Sequence, residues 1–241
     1  MKSRRLTIPV SVVLFLAFTL VGTYLVRQRI LERHMLAAME MGDEEALRLL
    51  LDAWPCPVNA RRTGEITPLH WAAAKGDKAM VALLIAKGAD VNATDDRLMT
   101  PLHWAAFRCC STRHQMDIIE ALLTAGANPN IRDKDGKTLL HPAAALPFPN
   151  LMRLLLERGA DPDVASRVGE TPLHRAVRFG GPEAVALLLS AGAQVNPRDN
   201  QGRTPLGAAR AAKSDPGKVA PLPPMTVDEI IQLLREHGAK E

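Results

Sequence analysis

Thr67-Pro68-Leu69-His70-Trp71-Ala72-Ala73 is followed 33 residues later by Thr100-Pro101-Leu102-His103-Trp104-Ala105-Ala106. Reduced copies stand at Thr138-Leu139-Leu140-His141, Thr171-Pro172-Leu173-His174 and Thr204-Pro205-Leu206-Gly207, so successive threonines lie 33, 38, 33 and 33 residues apart. A period of this length marks an array of one supersecondary unit. The phrase reads as the start of a helix. Threonine at the N-cap accepts from first-turn N–H groups that have no intrahelical partner. Proline at the first helical position lacks an N–H that would be unsatisfied anyway. The leucine then points into a core, and the alanines keep the helix thin enough for its neighbour to approach.

Each copy is followed by a second apolar run: Met80-Val81-Ala82-Leu83-Leu84-Ile85, then residues 118–123, 151–156 and 185–189. These end at Gly88-Ala89-Asp90, Gly126-Ala127-Asn128, Gly159-Ala160-Asp161 and Gly192-Ala193-Gln194, and a last copy reads Gly238-Ala239-Lys240. Glycine there closes a helix in the left-handed conformation. Polar turns containing Gly136, Gly169 and Gly202 lead to the next threonine. No single unit buries its apolar face alone, and stacking does so.

Over about residues 31–241 these phrases resemble the TPLH and GAD signatures of the ankyrin family. The resemblance implies an all-α solenoid of helix-turn-helix units with hairpin-like loops. It divides an ankyrin domain at 34–241 into about six units: 31–63, 64–96, 97–134, 135–167, 168–200 and 201–241. The first keeps the rhythm (Leu36-Ala37-Ala38, Gly42-Asp43) without the phrase, as an N-terminal cap would. The last helix is expected to open at Thr226-Val227-Asp228-Glu229, a capping box.

Three departures stand out. Unit three has five extra residues between its helices, around Arg108-Cys109-Cys110-Ser111-Thr112-Arg113-His114. Unit four carries Pro142, Pro147 and Pro149 in or just after its first helix, which makes it the expected weak point of the stack. Unit six has a Pro-rich insertion near 211–225. Surface insertions cost little closure entropy.

Ahead of the array, residues 6–26 (LTIPVSVVLFLAFTLVGTYLV) contain no charge. As a helix they span about 30 Å, the thickness of a bilayer's hydrocarbon core. The expected organisation is a basic head at 1–5, a transmembrane anchor or uncleaved signal at 6–26 and a juxtamembrane linker at 27–33. The run is longer than a signal-peptide core and no A-x-A-like site follows it. Lys2, Arg4 and Arg5 before the run and Arg27, Arg29 and Arg33 after it nearly balance, so the charge rule leaves the orientation open. A short basic head resembles a signal anchor kept in the cytoplasm, an arrangement with the repeats outside it, in the periplasm if the source is bacterial. Residues 1–29 hold five basic side chains and no acidic one, leaving −1 on the rest of a chain whose net charge is +4. The basic balance therefore flanks the apolar segment and is no nucleic-acid footprint.

Cys56, Cys109 and Cys110 make neither a disulfide framework nor a CxxC pair. Gly136-Lys137-Thr138 resembles the end of a phosphate loop, but Ile131 stands where that motif needs glycine. His70, His103, His141 and His174 recur at intervals too wide for one metal, since packed helices lie about 10 Å apart. The family resemblance gives this histidine structural hydrogen bonds. No catalytic, cofactor-binding or metal-binding residues are assigned, and no small-molecule substrate is expected.

In the ankyrin family the first helices and hairpin tips line a concave binding face. The residues expected to meet a protein partner there are Trp71, Trp104, Arg175, Arg178 and Arg210, the arginines facing an acidic surface. The expected function is that of a single-pass, membrane-anchored scaffold or adaptor without catalysis. An accessory or stress-protection factor for a periplasmic or membrane enzyme is the alternative, or a secreted effector if the N-terminus is cleaved.

Overall fold

The computed structural model describes the backbone of residues 10–52, 58–107, 113–146, 149–214 and 224–240. Within those ranges it describes the side chains from Thr23 onward, apart from Glu40, Glu44, 113–114, 212–214 and 224–225. The unit-three insertion at 108–112, Pro147, most of the Pro-rich insertion and all three cysteines lie outside it, as do residues 1–9 of the expected head and span.

All regular structure among the described residues is helical: α1 Val10–Met41, α2 Glu44–Asp52, α3 Pro68–Lys75, α4 Lys78–Ala86, α5 Pro101–Phe107 and α6 Arg113–Thr124. The order continues with α7 Leu140–Ala144, α8 Pro149–Glu157, α9 Pro172–Arg175, a π-helical turn Ala176–Gly180, α10 Gly181–Ser190, α11 Pro205–Ser214 and α12 Pro224–Glu236. Consecutive helices pair, from α1 with α2 to α11 with α12. The first helices form one layer, with α3 against α5 and α7 against α9, and the second helices form the other.

The core runs between the layers. Leu69, Leu102, Leu140, Leu173 and Leu206 hold the same register position in successive units and are at most 1% exposed. Burying each contributes about 2 kcal/mol. Ala72, Ala105, Ala143, Ala176 and Ala209 follow three residues later and are equally buried, which leaves room for the adjacent backbone. Among the described glycines the tightest position is Gly180, where a Cβ would fall on the carbonyl oxygen of Ala144.

Asparagines tie the loops together. The Asn59 carboxamide accepts from Asp90 N–H at 2.9 Å and donates to the Gly88 carbonyl. Asn92 bonds Asn128 N–H and the Gly126 carbonyl in the same way, and Asn130 bonds Asp161 N–H and the Gly159 carbonyl. Asn196 repeats this with Lys240 and Gly238. The fourth rung is Asp163, which accepts from Gln194 N–H at 2.8 Å but has no proton to offer the opposing carbonyl.

Several details differ from the sequence reading. Residues 27–33, the expected juxtamembrane linker, lie in the middle of α1, which enters the first unit unbroken and buries Met35, Ala38 and Met39 at helical spacing. α12 opens at Pro224, so Thr226 lies in its first turn rather than at its cap. Among the described residues no helix is long and apolar enough to cross a membrane. The side chains of the expected span 6–26 lie outside those residues as far as Gly22.

Unit five ends its first helix differently from unit two. In unit two Gly76 takes φ 80° and Asp77 caps α4 by accepting from Met80 N–H. In unit five the positive-φ glycine is one residue later, Gly181 at φ 83°, and the helix widens into the π turn. In unit four, Pro142 occupies the position of Trp71, Trp104 and Arg175, whose N–H groups bond the carbonyls of Thr67, Thr100 and Thr171. Proline has no such donor, and α7 is only 5 residues long.

Two outcomes follow from these bonds. Asp163→Asn restores the missing rung and raises unfolding stability by about 1 kcal/mol, read as a shift of the denaturant midpoint. Amide hydrogens of α7 exchange faster than those of α5 and of the α9–π segment; slower exchange in α7 refutes a weak fourth unit.

Candidate interaction surface

The threonine–histidine pair organises each first helix. The His70 Nδ1 atom accepts from Thr67 N–H at 3.2 Å and lies 2.8 Å from its hydroxyl. The same arrangement holds for Thr100 and His103, Thr138 and His141, and Thr171 and His174. The returning bond from the histidine N–H to the threonine oxygen is the weaker half, 3.5 Å at His103. A backbone N–H only donates, so Nδ1 carries no proton and Nε2 does. That Nε2–H crosses to the next unit: His70 donates to the Met99 carbonyl at 3.0 Å, His141 to Glu170 and His174 to Arg203, both at 3.1 Å.

His103 breaks the series. Its equivalent acceptor is the carbonyl of Lys137, which takes the Asp133 N–H but not the imidazole. The His103 Nε2 is buried without a partner. Burial holds His70, His141 and His174 below the ordinary histidine range, partly offset by their carbonyl acceptors. His103 lacks that offset, and burial pushes it down from 6.5 to about 4.

The inner face of the first helices carries two grooves. One, of about 340 Å³, is lined by Trp71, Ala74, Lys75, Met99, Trp104 and Phe107. Trp104 is held by its indole N–H, which donates to Asp95 at 2.9 Å, and stands edge-on to His70 at 5.7 Å between ring centres. Lys75 lies over the Trp71 ring. Phe107 is 61% exposed and also lines the second groove, about 250 Å³, with Ala106, Pro142, Leu146, Leu151 and Arg175 among its walls. Leu98 and Val168 expose apolar side chains at the hairpin tips.

The repeat register, the threonine–histidine box and the asparagine rungs all recur from unit to unit. A family model described as ankyrin repeats (3 copies) matches residues 34–112, 107–199 and 148–222. The chain belongs to the ankyrin repeat family. Ankyrin repeats are protein-interaction modules.

The ankyrin stack brings Trp71 and Trp104 together on one groove. It gathers Arg175 and Arg178 around Glu170, with Arg178 Nη1 2.6 Å from one carboxylate oxygen and Arg175 Nη1 3.8 Å from the other. Both guanidinium groups stack on Phe179, at 4.9 and 5.1 Å. These arginines are thus partly engaged within the molecule. Arg210 is half-buried on α11 and lines neither groove. Sequence reasoning missed Phe107, Glu170 and Phe179. Phe107 follows Trp104 by one helical turn, a spacing that puts both on one face. Glu170 precedes the threonine of its unit, the position of Met99, Lys137 and Arg203. No metal-holding cluster of His, Cys, Asp or Glu occurs among the described residues.

The imidazole register makes stability depend on pH. The folded chain keeps these groups neutral below the unfolded value of 6.5, so the unfolded chain binds more protons in between. Their contribution is fully present above about pH 6.5 and is lost as pH falls towards 4. His103 alone accounts for up to about 3 kcal/mol of that loss. Thermal melting followed by circular dichroism between pH 7 and pH 4 reads it. His103→Gln, which keeps an acceptor at the cap, flattens the slope more than His70→Gln.

Proposed function

We propose that the chain is a membrane-tethered, non-catalytic adaptor that receives a segment of another protein on the inner face of its ankyrin stack. The observation that carries this reading is the continuous apolar surface from Trp71 through Trp104 to Phe107, half-exposed on a layer of rigidly packed helices. Aromatic side chains held in place lose little entropy on docking, and such residues dominate binding energy at interfaces. The stack presents them preordered, because Trp104 is pinned by Asp95 and His70 by Met99.

The tether is the uncharged run 6–26, with the repeats on the non-cytoplasmic side. Support for it comes from the length of that run and the basic residues flanking it. α1 leads from this run directly into the first unit.

A photo-crosslinking residue at position 107, in the full chain expressed in its own cells, yields a discrete adduct in the membrane fraction. The same residue at Glu157, on the outer layer, does not. Equal labelling at both positions, or none at 107, sinks the adaptor reading. Release of the chain by alkaline extraction of membranes rejects the tether, and a topology reporter after Glu241 decides the side.

A further inference from the structure

Three observations meet at the junction between units three and four. Helix α3 packs along α5 and α7 along α9, whereas α5 and α7 make few close backbone approaches. His103 is the one register histidine whose Nε2 lacks a carbonyl partner. The second groove opens at this junction, between Ala106 and Phe107 on one side and Pro142, Leu146 and Leu151 on the other.

The local cause is a substitution in register. At the preceding junction Trp104 fills the space over His70. The same register position in the next unit holds Pro142, which is smaller and has no aromatic ring to stand against the His103 imidazole. What is missing from the wall is an indole-sized apolar group. A dry apolar cavity of about 150 Å³ holds a benzene molecule, so about 250 Å³ admits an aromatic or leucine side chain.

One wall of this groove is cationic. Arg175 lines it, sits 3.8 Å from Glu170, too far for a hydrogen bond, and has a buried Nε with no partner. Arg178 satisfies Glu170 first, at 2.6 Å, so two guanidinium groups share one carboxylate. The charge left over is positive, and the planar fork of arginine matches a carboxylate.

Resting on the adaptor reading above, we infer that this junction recognises a partner segment carrying an aromatic or leucine side chain next to an aspartate or glutamate. The apolar side chain takes the place of the absent indole against Phe107 and Pro142, and the carboxylate bonds Arg175. A phosphorylated side chain fits less well, because its second negative charge meets the Glu170 carboxylate already in place.

The test uses the full chain in detergent micelles and short synthetic peptides with a central phenylalanine. The neighbouring position carries aspartate, asparagine or phosphoserine. Aspartate peptides bind roughly tenfold more tightly than their asparagine twins, the strength of a charge-assisted pair. Raising the salt concentration weakens the aspartate peptide alone. Arg175→Gln, checked for an unchanged melting temperature, removes the preference, and Phe107→Ala weakens both peptides. Equal affinity of the twins, a preference for phosphoserine, no binding by any peptide, or a preference that survives folded Arg175→Gln overturns the inference. Should Arg175→Gln not fold, the salt response of the unaltered chain decides alone. If the peptides fail while the adduct at position 107 still forms, the carboxylate inference falls and the adaptor reading stands.

Discussion

The imidazole bridge from one unit to the next is the constraint on which the stack depends. His70, His141 and His174 each accept at Nδ1 from the threonine that starts their own helix and donate from Nε2 to the carbonyl that precedes the following threonine, and His103 makes only the first of these bonds. Cap and junction are therefore one bond network, closed through a single ring. The ring must be neutral and in one tautomer for both halves to form. That requirement explains why it is buried, and burial in turn keeps it neutral. The asparagine rungs repeat the same logic at the loop edge, where one carboxamide satisfies an N–H and a carbonyl of the next unit at once.

Where the bridge fails, the surface changes character. At the third junction the insertion displaces the register from 33 to 38 residues, the imidazole is left without its carbonyl, and a proline replaces the tryptophan that would cover it. The stack is continuous in its core across this point but open on its inner face. Stability given up at one junction and a concavity gained there have the same origin. Unit five borders the opening with Arg175, which shares Glu170 with Arg178 and stacks on the Phe179 ring.

The fold was legible because its determinants are local. Threonine, proline and leucine at a helix start, and glycine at its end, each act within a turn or two, so recurrence of the phrase gives the units directly. The consequence of Pro142 for α7 was legible for the same reason. The site was only half legible. Trp71 and Trp104 announce themselves by register, but the pairing of Arg178 with Glu170 depends on where a hairpin folds back onto a helix, a distance of 8 residues in sequence that no periodicity encodes. The π turn is similar: Gly180-Gly181 reads like the Gly76-Asp77 helix end, and only the shift of the positive φ by one residue separates them. Thr226 with Glu229 three residues on is as good a capping box as Pro224 is a first helical residue, which is why the start of α12 differs from the reading.

The unbroken course of α1 has a mechanical meaning. A flexible tether lets a binding module sample all orientations, whereas a helix transmits both direction and angle. With 3.6 residues per turn, every residue between the apolar run and Met35 fixes about 100° of azimuth. Under the proposed tether the inner face is thus aimed like a hand on a stiff wrist. Under that tether, the direction in which Trp104 and Phe107 face would be set by the count of residues in one helix, not by diffusion of the stack.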